Sequence, residues 1–281
     1  MKKVRIGYIY DSKTLGKEEK TFLKLAKKMN VELIMFNLAD EIDEYEIEKK
    51  AKLCDVIYND TADYITIEMA KTLEALGKKV IDATKIYYYS EDKWMFFLKC
   101  RQNKILTPET ILLSADMNSV KAELERFNHW PVVLKRVYGE RGEFVQKADN
   151  VHEALAKIKA LWAKGNERLP VLAQEFIKSD SYRVTVIGKK VMQTAVKKCH
   201  GWKATGCYAM RFRKFKMDNQ LEKIVKKLVK ISGIEVCGID LLKKEGKWLV
   251  LEINAEPSFN FFDTEREKLI RAVLQLLVKK A

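Results

Sequence analysis

Three side chains that carry oxygen atoms lie near the C-terminus, on two segments with the composition of β-strands. Asp240 stands among aliphatic residues in the first segment, and Glu252 and Asn254 lie two positions apart in the second. If the chain turns near 245–246, Asp240 lies roughly opposite Glu252, and Asn254 faces the same side of its strand as Glu252. Buried carboxylates are costly unless paired or metal-bound, and Mg²⁺ prefers such oxygen ligands. The pattern predicts a Mg²⁺ or Mn²⁺ site, although an edge hairpin with one solvated face would show it too.

A lysine and a glycine-containing loop form a second candidate site. Lys135 ends the apolar segment 131–134, and the loop Gly139-Glu140-Arg141-Gly142 follows it. A lysine at the end of a strand can bind phosphate in a cleft. The backbone N–H groups of Gly139 and Gly142, together with the Arg141 side chain, can close over the same anion. An ordinary hairpin turn would have the same spacing.

A third candidate is the edge of a strand that runs into a polar loop. It contains Glu175, Phe176 and Ile177 at the end of the segment 172–177. Backbone N–H and C=O groups at such an edge can bind an adenine ring between apolar neighbours. A plain sheet edge explains the segment equally well.

The N-terminal part of the chain has the pattern of a parallel α/β lobe. Strand-like segments at 4–10, 31–36, 55–59 and 79–82 alternate with helical spacing at 18–29, 44–53 and 65–76. This alternation predicts a parallel sheet with helices on its faces, over residues 1–87. No G-x-G-x-x-G follows the first strand, and no G-x-x-x-x-G-K-[ST] occurs anywhere. These absences argue against a dinucleotide-dependent dehydrogenase and a P-loop NTPase.

The remainder of the chain has a different pattern, in which strands follow one another at hairpin-like spacing. We predict strands at 110–113, 132–136, 142–147, 171–176, 182–187, 190–197, 236–242 and 248–253. The predicted helices cover 90–103 (capped by Ser90), 151–163, 218–231 and 264–278. The pattern indicates antiparallel sheets packed together, because no low-complexity linker separates them.

The order of the motifs resembles the ATP-grasp superfamily, and most closely its RimK-like branch of glutamate ligases and lysine-biosynthesis ligases. The motifs are Asp92-Lys93, PVVLK at 131–135, G-x-x-G, QEFI at 174–177, a strand containing Arg183, GIDLL at 238–242 and EINAEPSF at 252–259. The resemblance implies an α/β and α+β ATP-grasp fold in three parts. These are an N-terminal parallel α/β lobe (1–87), a central subdomain with a mobile glycine loop (88–175) and a C-terminal subdomain with the metal site (176–281).

The resemblance also implies a role for each candidate residue. Lys93 and Lys135 would contact the ATP phosphates, Glu175–Ile177 would form the adenine hinge, and Asp240, Glu252 and Asn254 would hold Mg²⁺. Arg183, Lys198 and Lys203 would face the acceptor carboxylate or its acyl-phosphate. The implied reaction phosphorylates a carboxylate with ATP and then forms an amide with an amine. Lys203 and Thr205 depart from the Arg and Asn of close relatives, which leaves the acceptor open.

The net charge of +14 favours an anionic partner, although a lysine- and glutamate-rich surface is also typical of heat-adapted proteins. The acceptor is either a small carboxylate or an acidic amino-group carrier protein, and the co-substrate is an amino acid such as glutamate.

The run Arg211–Lys216 supports an alternative of another class, a nucleic-acid-binding protein with a vestigial ATP site. We expect a cytoplasmic protein, because the apolar stretch near the N-terminus is too short for a secretory signal. We expect no membrane association, because no apolar run approaches the length of about 20 residues that spans a bilayer. A homo-oligomer remains open.

Overall fold

The first of three sheets is parallel and lies at the N-terminus. The computed structural model describes residues 3–61, 63–139, 142, 144–164, 169–199, 201–203 and 209–281. The strands are β1 (Arg5–Tyr10), β2 (Glu32–Asn37), β3 (Val56–Asn59) and β4 (Val80–Ile81), in the order β2-β1-β3-β4. The helices are α1 (Lys17–Lys28), α2 (Glu44–Leu53) and α3 (Tyr64–Ala75). The predicted parallel α/β lobe is confirmed.

The second sheet is antiparallel and is built from the central part of the chain. Its elements are α4 (Tyr87–Ser90), α5 (Lys93–Gln102), β5 (Thr110–Leu112), α6 (Met117–Phe127), β6 (Val132–Arg136), β7 (Val145–Ala148), α7 (Val151–Trp162) and β8 (Val171–Glu175), with strand order β5-β8-β6-β7. Helices α6 and α7 cover one face through residues such as Leu124 and Ile158. The helix predicted over 90–103 is divided, because Ser90 ends α4 and Asp92 caps α5 by accepting from the Met95 N–H at 2.8 Å. The predicted Ser90 cap is therefore wrong.

The third sheet is also antiparallel and carries most of the candidate catalytic and metal-binding residues. Its elements are β9 (Ser181–Ile187), β10 (Lys190–Cys199), β11 (Ala209–Arg213), α8 (Asn219–Ser232), β12 (Val236–Lys244), β13 (Lys247–Asn254) and α9 (Asp263–Lys280), with strand order β11-β10-β9-β12-β13. Helix α8 covers one face, where Val225 and Leu228 pack with Val184 and Ile239. Because side chains alternate along a strand, Arg183 and Asp240 lie on the opposite face.

The end of the chain packs into the N-terminal lobe. Phe259 lies 6.3 Å from Phe22 between ring centroids, and the buried Ile270 and Leu274 of α9 share a core with Ile6. The first and third sheets are therefore joined by common apolar packing. The boundaries at 87/88 and 175/176 stay a prediction. Within the described ranges, no helix combines the length and the apolarity that spanning a bilayer requires.

Candidate active site

The β12–β13 hairpin sets the position of the candidate metal ligands. It turns at Glu245 and Gly246, whose φ values of 50° and 78° are left-handed, as a tight hairpin turn requires. Up to the pair Leu241–Val250 the register follows directly from this turn. A bulge then shifts the register by one residue between Asp240 and Leu241.

The bulge decides which residues share a face with Asp240. With it, Asp240 pairs with Glu252, and Gly238 pairs with Asn254. Without it, Asp240 would lie opposite Leu251, and Glu252 would point to the other side of the sheet. The bulge therefore brings Asp240, Glu252 and Asn254 to one face, as the metal-site prediction requires.

The donor set suits a magnesium ion that also binds phosphate. Asp240 is 4% exposed, Glu252 and Asn254 are half-buried, and the Asn254 side-chain N–H donates to the Gly238 carbonyl at 3.4 Å. The amide oxygen of Asn254 is not used by that bond. In the described ranges, no group of three or more His, Cys, Asp or Glu residues forms a metal cage. Two carboxylates and one amide fit Mg²⁺, which completes its shell with phosphate oxygens and water.

A buried lysine that the sequence analysis missed completes this face. Lys197 is 1% exposed, and its Nζ donates to Asp240 Oδ1 at 2.8 Å. Arg183 Nε lies 2.9 Å from the same oxygen, so two cations contact one carboxylate. The predicted Lys198 is the next residue along β10 and faces the other way, where it pairs with Asp180. The structure therefore brings Lys197 to the carboxylates, and it does not bring Lys198 there.

Two cations keep Asp240 ionised despite its burial. Burial would raise the pKa of this carboxyl, because an ionised group loses its hydration in the interior. The charges of Arg183 and Lys197 outweigh that effect, and the pKa falls below its ordinary value of 3.8. Asp240 is thus available as an anionic ligand throughout the neutral pH range.

The guanidinium of Arg183 lies over a glycine and retains unused donors. A Cβ atom at Gly238 would lie 1.7 Å from Arg183 Nη1, so only glycine leaves room for this side chain. Nη1 is buried and has no hydrogen-bond partner among the described residues. The Phe261 ring lies 5.7 Å from Arg183 Cζ and covers it. An unpartnered guanidinium N–H beside the carboxylates suits an anionic substrate group.

The candidate phosphate-binding lysine, Lys135, lies one residue before the end of β6. Lys135 is buried, and its Nζ donates to Gln174 Oε1 at 2.7 Å. Burial, and then the charge of Lys93, lower the pKa of Lys135 to about 8, although Glu252 and Asp240 oppose the shift. The charges of Glu252 and Asp240 therefore stabilise the protonated form of Lys135.

The glycine loop is contacted from both sides. Lys93 Nζ donates to the Gly139 carbonyl at 2.6 Å, and Lys203 Nζ donates to the Gly142 carbonyl at 3.1 Å. Lys93, the first residue of α5, and Lys203, from the predicted acceptor loop, thus both reach the loop after β6. The predicted contact of Arg141 lies outside the described residues.

Among the described residues, the N–H groups of Glu175 and Phe176 in the predicted adenine hinge have backbone acceptors, whereas that of Ile177 has none. The N–H of Glu175 donates to the Glu109 carbonyl at 2.8 Å, and the N–H of Phe176 donates to the Pro131 carbonyl at 3.0 Å. These two groups are therefore occupied by the sheet, and the buried Ile177 supplies the N–H that an adenine ring would use. The Glu175 carboxylate pairs with Lys244.

The match to a known family spans most of the two antiparallel sheets. Residues 90–277 match the RimK-like ATP-grasp domain, which is more than half of the 281 residues. The chain belongs to the RimK-like ATP-grasp family. The α/β and α+β ATP-grasp fold predicted from the motif order is confirmed.

Relatives and a solved structure extend this similarity to nearly the whole chain. The coenzyme gamma-F420-2:alpha-L-glutamate ligase of Methanocaldococcus jannaschii is 26% identical over 232 residues, covering 80% of this chain and 78% of that protein. The glutamate–LysW ligase ArgX of Sulfurisphaera tokodaii is 25% identical over 266 residues, or 92% of both chains. The crystal structure of a RimK domain ATP-grasp protein from Sphaerobacter thermophilus has a TM-score of 0.79 at 15% identity, and the match covers 98% of this chain and 100% of that one. The prediction of an ATP-dependent carboxylate–amine ligase is confirmed.

The lowered pKa of Lys135 predicts that ATP binding weakens in alkaline solution. The phosphate chain would bind the protonated form of Lys135, and the free protein loses this proton as the pH rises through about 8. We expect the affinity for ATP to fall by up to about tenfold per pH unit above that value, because binding and protonation are linked. Calorimetric titration with ATP between pH 7 and pH 9 measures this, and Lys135→Arg, which stays charged, should flatten the profile. A profile equally steep in Lys135→Arg would contradict the prediction.

The close contact at Gly238 predicts a large loss of turnover in Gly238→Ala. The added methyl group displaces the Arg183 guanidinium, and misplacement by about 1 Å costs up to about 10²-fold in rate. ATP affinity should remain near its native value if Arg183 faces the acceptor, as the motif resemblance implies. Gly16→Ala is the matched control, because its methyl group meets only the flexible Glu19 side chain, at 2.7 Å. Equal turnover in the two variants would show that Arg183 needs no such room.

Proposed function

We propose that this ligase couples glutamate, or a similar amino acid, to a carboxylate acceptor through an acyl-phosphate. The observation that carries the proposal is the cluster of Asp240, Glu252, Arg183 and Lys197 on one sheet face. The two acids of this cluster also act on the pKa of the buried Lys135. Relatives named as glutamate ligases support the choice of amino acid. The acceptor is proposed from charge alone, as an anionic molecule.

The proposed reaction has two steps, with an acyl-phosphate as the intermediate. A carboxylate oxygen of the acceptor attacks the γ-phosphorus of ATP, and ADP leaves. The amine of the second substrate then attacks the acyl carbon, phosphate leaves, and the nitrogen loses a proton as the amide forms. Asp240, Glu252 and Asn254 would hold Mg²⁺ or Mn²⁺, which when bound offsets the negative charge of the phosphates.

The protein's own cations bring the two anions together. Lys135 and Lys93 would bind the phosphate chain, and the unpartnered Nη1 of Arg183 would bind the acceptor carboxylate or its phosphate. Lys203 would act between the glycine loop and the acceptor, since its Nζ already reaches the Gly142 carbonyl. Such fixed charges lower the barrier because they need no reorganisation during the reaction. For Lys198 an acceptor role stays a prediction.

Two kinds of acceptor remain candidates, and nucleic acid is not favoured. A relative is named as a ligase for LysW, and another as one for a coenzyme, so an acidic carrier protein and a small carboxylate both fit.

The aromatic residues of the basic run 211–216 pack within the protein. Phe212 packs edge-on against Phe261 at 5.0 Å, and Phe215 packs against Tyr182 at 5.2 Å. Both rings are therefore engaged within the protein and are not free to stack on bases.

The test is a screen for ADP release that depends on both substrates. A panel of amino acids is combined with candidate carboxylates, including an acidic carrier protein, in the presence of Mg²⁺ or Mn²⁺. We expect amine-dependent ADP release, metal dependence, and a product whose mass rises by one or more amino-acid residues. Absence of such release across the panel, or a product without that added mass, would refute the proposal.

A further inference from the structure

A groove of about 1070 Å³ lies on the face of the third sheet that is turned away from Asp240. It is bounded by α8, the β9–β10 hairpin and the end of α9. Its aliphatic lining residues are Val191, Met217, Val225, Val229 and Ile234. Val191 is 42% exposed, although it is apolar. Val225, Val229 and Ile234 are at most 8% exposed, so Val191 and the half-buried Met217 form the part of the floor that apolar side chains of a partner can reach. We call this site the lysine groove, after the lysines of its rim.

The rim of the lysine groove carries a positive charge that the protein does not neutralise. The rim lysines are Lys189, Lys216, Lys226, Lys230 and Lys280. Lys226 lies 3.9 Å from Glu222, and Lys280 pairs with Glu235 at 2.6 Å. Within the described part of the chain, the other three lysines have no ion pair. The lysine groove therefore suits an acidic segment with exposed apolar side chains.

The same chain carries a segment with these properties. Residues 40–48, Asp-Glu-Ile-Asp-Glu-Tyr-Glu-Ile-Glu, contain six acidic residues and no basic one, in a protein whose net charge is +14. Two apolar residues of this acidic segment face solvent, since Ile42 is 47% exposed and Tyr45 is 74% exposed. The segment has a defined shape, because Asp43 caps α2 by accepting from the Glu46 N–H at 3.0 Å. Exposed apolar side chains within an acidic surface mark an interaction site.

We propose that the lysine groove of one copy binds the acidic segment of a second copy. Ile42 and Tyr45 would cover the aliphatic floor, and the neighbouring carboxylates would meet the rim lysines. An aliphatic floor fits these side chains better than nucleotide bases, which require aromatic partners for stacking. Neither surface includes a residue of the active site, so the association does not depend on the proposed ligase reaction.

The contact has properties that can be measured. The two patches differ, so the contact either repeats twice around a two-fold axis or continues from copy to copy. We expect a dissociation constant on the order of 10 µM, typical of a small and charged interface. Association should weaken with added salt, since charges are screened beyond about 10 Å at 0.1 M.

A charge-swap experiment in analytical ultracentrifugation tests the contact on the full chain. Lys189→Glu with Lys230→Glu makes the groove acidic, and Glu41→Lys with Glu44→Lys makes the acidic segment basic. Each double variant alone should associate at least about tenfold more weakly than the native protein. Mixed together they should associate again, because each groove then meets a segment of opposite charge.

A control with the same change of charge separates docking from general electrostatics. Lys85→Glu with Lys159→Glu alters exposed lysines outside the groove and should associate like the native protein. Three results would overturn the proposal: a monomeric native protein at low salt, an equal loss in the control, or no recovery in the mixture. Tighter binding of oligouridylate that is lost in the groove variant would also overturn it, and would identify nucleic acid as the occupant. ADP release should be unchanged in every variant.

Discussion

Replacing Glu252 with Gln is expected to lower amine-dependent ADP release by about 10²–10³-fold while the fold remains intact. The substitution removes the charge that would bind the metal but keeps the size and shape of the side chain. Glu252 is half-buried and makes no ion pair with a described residue, so the substitution breaks no direct salt bridge there. It does remove a charge that stabilises the protonated form of the buried Lys135. Steady-state ADP release and the midpoint of thermal unfolding are the two measurements.

Asp240→Asn is the informative comparison for Glu252→Gln. It should abolish turnover as well, but it also leaves Lys197 and Arg183 without the carboxylate that both contact. Loss of one partner from a buried ion pair costs about 3–5 kcal/mol. The two variants would thus distinguish the roles of the carboxylates. Glu252 would contribute to catalysis, whereas Asp240 would contribute to both catalysis and stability. Native turnover in Glu252→Gln would exclude it as a metal ligand.

The β12–β13 hairpin was largely predictable from the sequence, since the turn at 245–246 and the alternation of residues are local features. The pairing of Asp240 with Glu252 depends on more, because a regular two-residue hairpin with this turn would pair Asp240 with Leu251. No single residue type marks the bulge. The Val250 N–H donates to the Leu106 carbonyl at 2.8 Å, beside the bulge and far away in sequence. Long-range contacts of this kind cannot be read from periodicity.

Two other features were missed for related reasons. Helix α6 was not predicted, and only two of its side chains, Val120 and Leu124, are buried against the second sheet. A helix with so narrow an apolar stripe is difficult to distinguish from a polar connection. The sequence analysis selected Lys198 instead of Lys197. Which of the two lysines shares a face with Arg183 depends on the register of β10 against β9, in which Ala195 pairs with Arg183. That register places residue 197 on the same face as Arg183.

Lys197→Met is expected to destabilise the protein by about 3 kcal/mol, whereas Lys198→Met should cost less than about 1 kcal/mol. The two lysines are adjacent, and each contacts one carboxylate, but their surroundings differ. Lys197 is 1% exposed beside the buried Asp240, whereas the Lys198 side chain is 41% exposed and pairs with a partly exposed acid. Methionine preserves the aliphatic stem of lysine, so the difference between the variants reflects charge rather than packing.

The free energy of unfolding in urea measures both variants. Arg183 still contacts Asp240 in Lys197→Met, which keeps the expected loss at the lower end of the range for a broken buried pair. Adding Asp240→Asn to Lys197→Met should cost less than the sum of the single losses, because the two groups contact each other directly. Equal stability of Lys197→Met and Lys198→Met, or strict additivity with Asp240→Asn, would contradict the prediction that the buried Lys197 stabilises the ionised Asp240.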